Sequence, residues 1–128
     1  DYFKKSLKIV LSVYGENHSQ VSSIYDHIGE VYFAQKDYSK ALYYFEESLK
    51  IRLSLFGENH PEVALSYYSI GSLYIIQGDK SKALNYYEKS LKIRLSVYGE
   101  NHPLTKEIMD LINVAANSKV LQSPETTK

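Results

Sequence analysis

The strongest constraint on this chain is that it repeats itself. Gly-Glu-Asn-His stands at 15–18, 57–60 and 99–102, three copies spaced by 42 residues. The likeness runs well beyond the tetrapeptide. Ser6-Leu7-Lys8-Ile9 returns as Ser48-Leu49-Lys50-Ile51 and as Ser90-Leu91-Lys92-Ile93. Val21, Ile28, Gly29, Tyr32 and Asp37 return as Val63, Ile70, Gly71, Tyr74 and Asp79. Self-similarity at such a period belongs to solenoids and arrays, in which each unit buries its apolar face only against neighbours. Any role for the Gly-Glu-Asn-His copies must therefore fit a repeating element.

Each period holds two helical patterns. Val21, Ile24, Tyr25, Ile28, Val31 and Tyr32 recur at steps of three and four, which predicts one buried helix face. This is helix A of the unit. From Tyr38, Ala41, Leu42, Phe45, Ser48, Leu49 and Leu53 mark a second face, helix B, with Glu46 and Lys50 spaced for an i,i+4 pair outside it. The expected layout is a first helix B over 1–14, a repeat over 19–56, a second over 61–98, and a terminal helix A over 103–121. That makes about six helices. Residues 122–128 carry nothing apolar to bury and are expected to form a disordered tail.

The Gly-Glu-Asn-His copies raise the question of a metal or acid–base centre. Gly57 follows Leu55 and Phe56, where a helix ends on a residue that takes positive φ without steric cost, and Pro61 supplies the fixed φ of a first helical turn. His60 is then placed to cap the new helix, and Glu62 to meet the positive end of its dipole. Ser19 stands where the other copies have proline and is expected to serve as the cap itself. Helices pack about 8–10 Å apart, whereas the ligands of one zinc lie about 2 Å from it, so three such loops cannot share an ion. Within one loop there is no i,i+4 His pair and no second His or Cys. His27 is alone on its helix. The expectation is no metal, no cofactor, no catalytic residue and no enzyme; there is also no phosphate-binding loop, nucleophile elbow or dinucleotide-binding glycine pattern.

Composition narrows the partners. Fifteen acidic and fifteen basic residues give zero net charge, which lacks the basic footprint of a nucleic-acid or anionic-membrane binder. No apolar run approaches the roughly 18 residues of a membrane span, and the first residues lack a signal-peptide pattern. With zero cysteines, disulfides are excluded and a reducing, cytoplasmic setting is expected. The start in mid-pattern without an initiator Met leads to the expectation that these residues come from a longer array.

Tyr67, Ile70, Gly71, Tyr74, Ala83 and Tyr87, with Tyr25, Ile28, Gly29, Tyr32, Ala41 and Phe45 one period earlier, resemble the tetratricopeptide repeat, tyrosine standing where that family often has tryptophan. The 42-residue period, longer than the family's usual 34 or so, and the loop over 56–64 are similar to the kinesin light chain type. The resemblance implies an all-α solenoid, a right-handed superhelix of antiparallel helix pairs. It also implies protein interaction through a concave groove lined by the A helices.

That groove face is expected to carry Asp26, His27 and Glu30 from the first unit, Leu65, Tyr68, Ser72, Ile75 and Ile76 from the second, and Asp110 and Leu111 from the terminal helix. An apolar middle between acidic flanks suits a partner segment with an apolar or aromatic anchor and Lys or Arg on either side. The alternative is a structural segment that stacks end to end on like repeats. Asn113, at the register of Gly29 and Gly71, departs from the pattern, so the last helix is expected to cap the array.

Overall fold

The computed structural model describes residues 4, 5, 8, 9 and 19–117. Five helices run through 19–117: α1 (Ser19–Ala34), α2 (Tyr38–Phe56), α3 (Pro61–Ile76), α4 (Lys80–Tyr98) and α5 (Pro103–Asn117). Among the described residues there is no strand. Lys4, Lys5, Lys8 and Ile9 are helical; the rest of the expected first helix over 1–14, residues 118–121 of the last helix and the tail over 122–128 lie outside the described residues. The chain divides into two compact units, Asp1–Glu58 and Asn59–Lys128, with the boundary inside the second Gly-Glu-Asn-His copy. Helices α1 and α2 form the pair of the first unit, and α3, α4 and α5 pack in sequence within the second.

Each helix pair closes on its glycine. A Cβ placed on Gly29 would lie 2.7 Å from the Phe45 ring and 3.3 Å from the Ala41 carbonyl oxygen. On Gly71 it would lie 2.7 Å from the Tyr87 ring and 3.2 Å from the Ala83 carbonyl oxygen. Glycine inside a helix costs about 1 kcal/mol relative to alanine, and here the loss admits an aromatic ring against bare backbone. Beside each ring runs a tyrosine ladder. Tyr44 lies between Tyr25 and Tyr32, with centroids 5.9 and 5.7 Å away, and Tyr86 lies between Tyr67 and Tyr74 at 6.0 and 5.7 Å. Lys40 and Lys82 cover the Tyr32 and Tyr74 rings in the same way, 5.3 and 5.4 Å from the centroids. The repeat thus extends to cation–π contacts on the surface.

The caps repeat as well. Asp37 and Asp79 accept from the Lys40 and Lys82 amides, three residues into α2 and α4. Gly57 and Gly99 end these helices at φ of 80° and 85°, and their N–H groups donate to the Leu53 and Leu95 carbonyls. His60 Nδ1 accepts from the Glu62 amide at 3.0 Å, and His102 Nδ1 accepts from the Leu104 amide at 3.1 Å. Asn59 Nδ2 donates to Ser96 Oγ at 3.1 Å, tying the loop to α4. In both described copies, at 57–60 and 99–102, Gly-Glu-Asn-His is a helix stop, a turn and a helix start.

Two local expectations are corrected. Ser19 is the first residue of α1, in register with Pro61 and Pro103, rather than the cap before it; its carbonyl accepts from Ser22 Oγ at 2.7 Å. Lys50 pairs with Glu47 at 3.2 Å, not with Glu46, because Glu47 one position nearer is within reach on the same side of α2.

Replacing His60 removes chiefly one acceptor at a helix entry, the ring being only half-buried. His60→Ala is therefore expected to cost at most about 1 kcal/mol in a urea melt. A loss of several kcal/mol would mean that this loop does more than start a helix.

Candidate functional site

The A-helix positions singled out by spacing fall into separate sets on the two units. In the first, Asp26, His27 and Glu30 share one stretch of α1. His27 and Glu30 are exposed, with Nδ1 and Oε1 3.3 Å apart, an ion pair whenever the imidazole is protonated. Asp26 is different. Its carboxylate meets the Arg52 guanidinium at 2.6 Å, and Arg52 is only 4% exposed. Burial pushes the Asp26 carboxyl above its ordinary value; the Arg52 charge and the Ser48 hydroxyl offset this only in part, and Glu30 adds to it. Asp26 is thus an internal partner of α2 as much as a surface charge.

In the second unit α3 presents Leu65 and Ile76 to solvent, Ile76 at 53% exposure, with Tyr68, Ser72 and Ile75 half-buried between them. Tyr68 stacks on Tyr87 with centroids 6.2 Å apart, and Ser72 shares a 2.9 Å hydrogen bond with the Tyr87 hydroxyl. Burial also pushes the Tyr87 hydroxyl above its ordinary value, so it remains a neutral hydrogen-bonding group. On α5, Asp110 is exposed and Leu111 half-buried, beside Val114 at 63% exposure.

The residues missed by the sequence reading are Arg52 and Arg94. They occupy the same position one period apart and look like surface charges in Lys-Ile-Arg, yet both are buried. Arg94 donates to the Leu104 carbonyl at 3.0 Å, lies 3.5 Å from the half-exposed Glu107 carboxylate, and stands 5.5 Å from the Tyr68 ring centroid. It thereby joins the α3 and α5 faces. Where the first unit sets Asp26 against its arginine, the second sets Tyr68 at the same register, a cation–π contact beside the Arg94–Glu107 ion pair. The signal was available: both arginines fall beside Ile51 and Ile93 on the apolar side of helix B, three residues beyond Leu49 and Leu91.

Among the described residues no three His, Cys, Asp or Glu side chains group to hold a metal, and no helix is long and apolar enough to cross a membrane. The repeat spacing, the glycine–aromatic closure and the paired helices find their match in a known family. A model of the tetratricopeptide repeat family matches residues 1–54 and 20–96. The chain belongs to the tetratricopeptide repeat family. A comparison with curated proteins finds no match. Among solved structures, the crystal structure of BtubC (BKLC) from P. vanneervenii is similar, with a TM-score of 0.78 at 24% identity over 94% of this chain. The chain spans 49% of that protein, so the likeness concerns the fold. Tetratricopeptide repeats are in general protein-interaction scaffolds, and with this fold the chain is an all-α solenoid by class.

Proposed function

We propose that this tetratricopeptide chain is an interaction module that holds a peptide or helix of a partner protein along its A-helix faces. The observation that carries the reading is α3, which leaves Leu65 and Ile76 in solvent beside the half-buried Tyr68 and Ile75. A tyrosine backed by a second ring and a guanidinium is a rigid amphipathic platform of the kind that dominates binding energy. The partner's anchor is an apolar or aromatic side chain. Its basic residues are drawn, in each unit taken by itself, by Glu30 or by Asp110, since Asp26 and Glu107 already face arginines. The module acts as a scaffold and not as an enzyme, and the absence of cysteine fits a cytoplasmic setting. The 42-residue period favours the kinesin light chain type of repeat.

A peptide array read with the purified chain tests this. Segments with an apolar anchor and basic flanks should be enriched, and binding should weaken as salt is raised. Ile76→Asp, on an exposed position, and Tyr68→Ala should each weaken binding about tenfold or more, while Glu30→Gln changes it only a few-fold. Selection of acidic segments, or indifference to both Ile76 and Tyr68, would overturn the proposal.

The exposed Met109 and Val114 on α5 favour a second reading, end-to-end stacking on another copy or on further repeats. Against it stands Asn113, whose side chain occupies the register where Gly29 and Gly71 admit an aromatic ring. Sedimentation of the same protein over a concentration range separates the two, since stacking requires growth with concentration.

A further inference from the structure

The two described histidine caps share an unusual chemistry. An N-cap is ordinarily an oxygen from Ser, Thr, Asp or Asn, which accepts a hydrogen bond at any pH near neutrality. Here the acceptor in both helices is an imidazole nitrogen. His60, at φ −132° and ψ 142°, takes the Glu62 N–H at 3.0 Å on Nδ1, and His102 takes the Leu104 N–H at 3.1 Å on the same atom. In both, the donor is two residues on, behind a proline at the first helical position. A neutral imidazole accepts through one ring nitrogen only, so this geometry fixes the tautomer with hydrogen on Nε2. An imidazolium carries hydrogen on both nitrogens and accepts nothing.

We propose that His60 and His102 make the starts of α3 and α5 acid-sensitive, so that one sequence element, copied with the repeat, loosens two helix entries together when the imidazoles take up protons. Two effects act in the same direction. Protonation sets an N–H against the backbone N–H it had accepted, and it places a positive charge at the positive end of each helix. The ring is then expected to turn out of the cap, releasing the Glu62 and Leu104 amides to water. The His102 ring is stacked on Tyr98 with centroids 4.2 Å apart, so its departure also uncovers the last turn of α4. His60 opens the first helix after the boundary between the two units, and His102 opens the last described helix.

Charged side chains stand near both rings along the chain. Glu58 and Glu62 flank His60, and Glu100 and Lys106 lie near His102 in sequence, with the Tyr98 ring against it. In the first unit one group responds in the opposite sense. Acid neutralises Asp26, whose carboxyl is raised above its ordinary value by burial. A whole-protein measurement therefore mixes signs, and a cap-specific one is required.

The test compares the natural chain with the double variant His60→Asn and His102→Asn, because asparagine caps well and does not titrate. Thermal melts at about pH 7.5 and pH 5.5 bracket the ordinary imidazole range near 6.5. The melting temperature of the natural chain should fall by roughly 5 °C more than that of the variant across this interval. Equal falls in the two proteins would overturn the proposal. An independent readout uses proton–nitrogen correlation spectra of the natural chain alone. At neutral pH the ring nitrogens of His60 and His102 should report Nδ1 without hydrogen, and the Glu62 and Leu104 amides should lose their hydrogen-bonded shifts on acidification. Amides that stay in place, or rings with hydrogen on Nδ1 at neutral pH, would sink the idea even if the variant failed to fold.

Discussion

Gly71→Leu should lower stability by about 3 kcal/mol or more, well beyond any change in a cap. The first side-chain carbon alone would come within 2.7 Å of the Tyr87 ring and 3.2 Å of the Ala83 carbonyl oxygen. The ring is 2% exposed and its hydroxyl is tied to Ser72, so it has no empty space to swing into. The substitution gains about 1 kcal/mol of helix propensity, and that gain is outweighed because α3 and α4 must separate along their length. Gly29→Leu meets the same geometry against Phe45, which lacks the hydroxyl tether and has a little more freedom to turn. Urea melts of both variants beside His60→Ala give the ranking. If the glycine variants melted like the natural chain, close helix approach would not be what the repeat preserves.

Arg52→Met is the second large effect, about 3 kcal/mol at neutral pH. The side chain is buried against Asp26, and methionine fills much of its volume without supplying the charge. What remains is a carboxylate whose burial already raises its pKa, now without the cation that partly offset this. A carboxyl with a folded-state value above its unfolded one, which is near 3.9, takes up its proton earlier in the fold. Its contribution therefore improves as pH falls through the folded-state value toward the unfolded one. The Arg52→Met deficit should accordingly shrink on acidification, and adding Asp26→Asn should recover most of it at neutral pH. Asp26→Asn alone should also destabilise at neutral pH, because it leaves the buried Arg52 guanidinium without its carboxylate. Melts of the three variants at two pH values decide this. A deficit that grew with acid would show that the pair, rather than the stranded carboxylate, sets the energy.

The helices were legible because their causes are local. Apolar positions at steps of three and four, Asp37 and Asp79 ahead of the B helices, and Gly57, Pro61 and Gly99 at the breaks each act within a few residues, and α2, α3 and α4 fall where they direct. The glycines were legible for a different reason. A residue that weakens a helix, yet stands at the same register in two units, implies a close approach from outside it. Side-chain pairing was less accessible. Glu46 and Glu47 are both within one turn of Lys50, and spacing alone does not choose Glu47, the partner the structure has.

The interaction face shows the same division. Helical spacing alone placed Leu65, Tyr68, Ile75 and Ile76 on one side of α3. It could not say that a guanidinium from α4 lies 5.5 Å from the Tyr68 ring centroid, nor that Asp26 is answered by Arg52. Sequence by itself determined the repeat, its helices, its stops and starts, and the family to which it belongs, because these follow from periodicity and backbone preference. Tertiary structure alone decided which charges face outward. Burial of Arg52 and Arg94 depends on two helices meeting; their place on the apolar side of helix B hints at it, but spacing does not say what answers each charge.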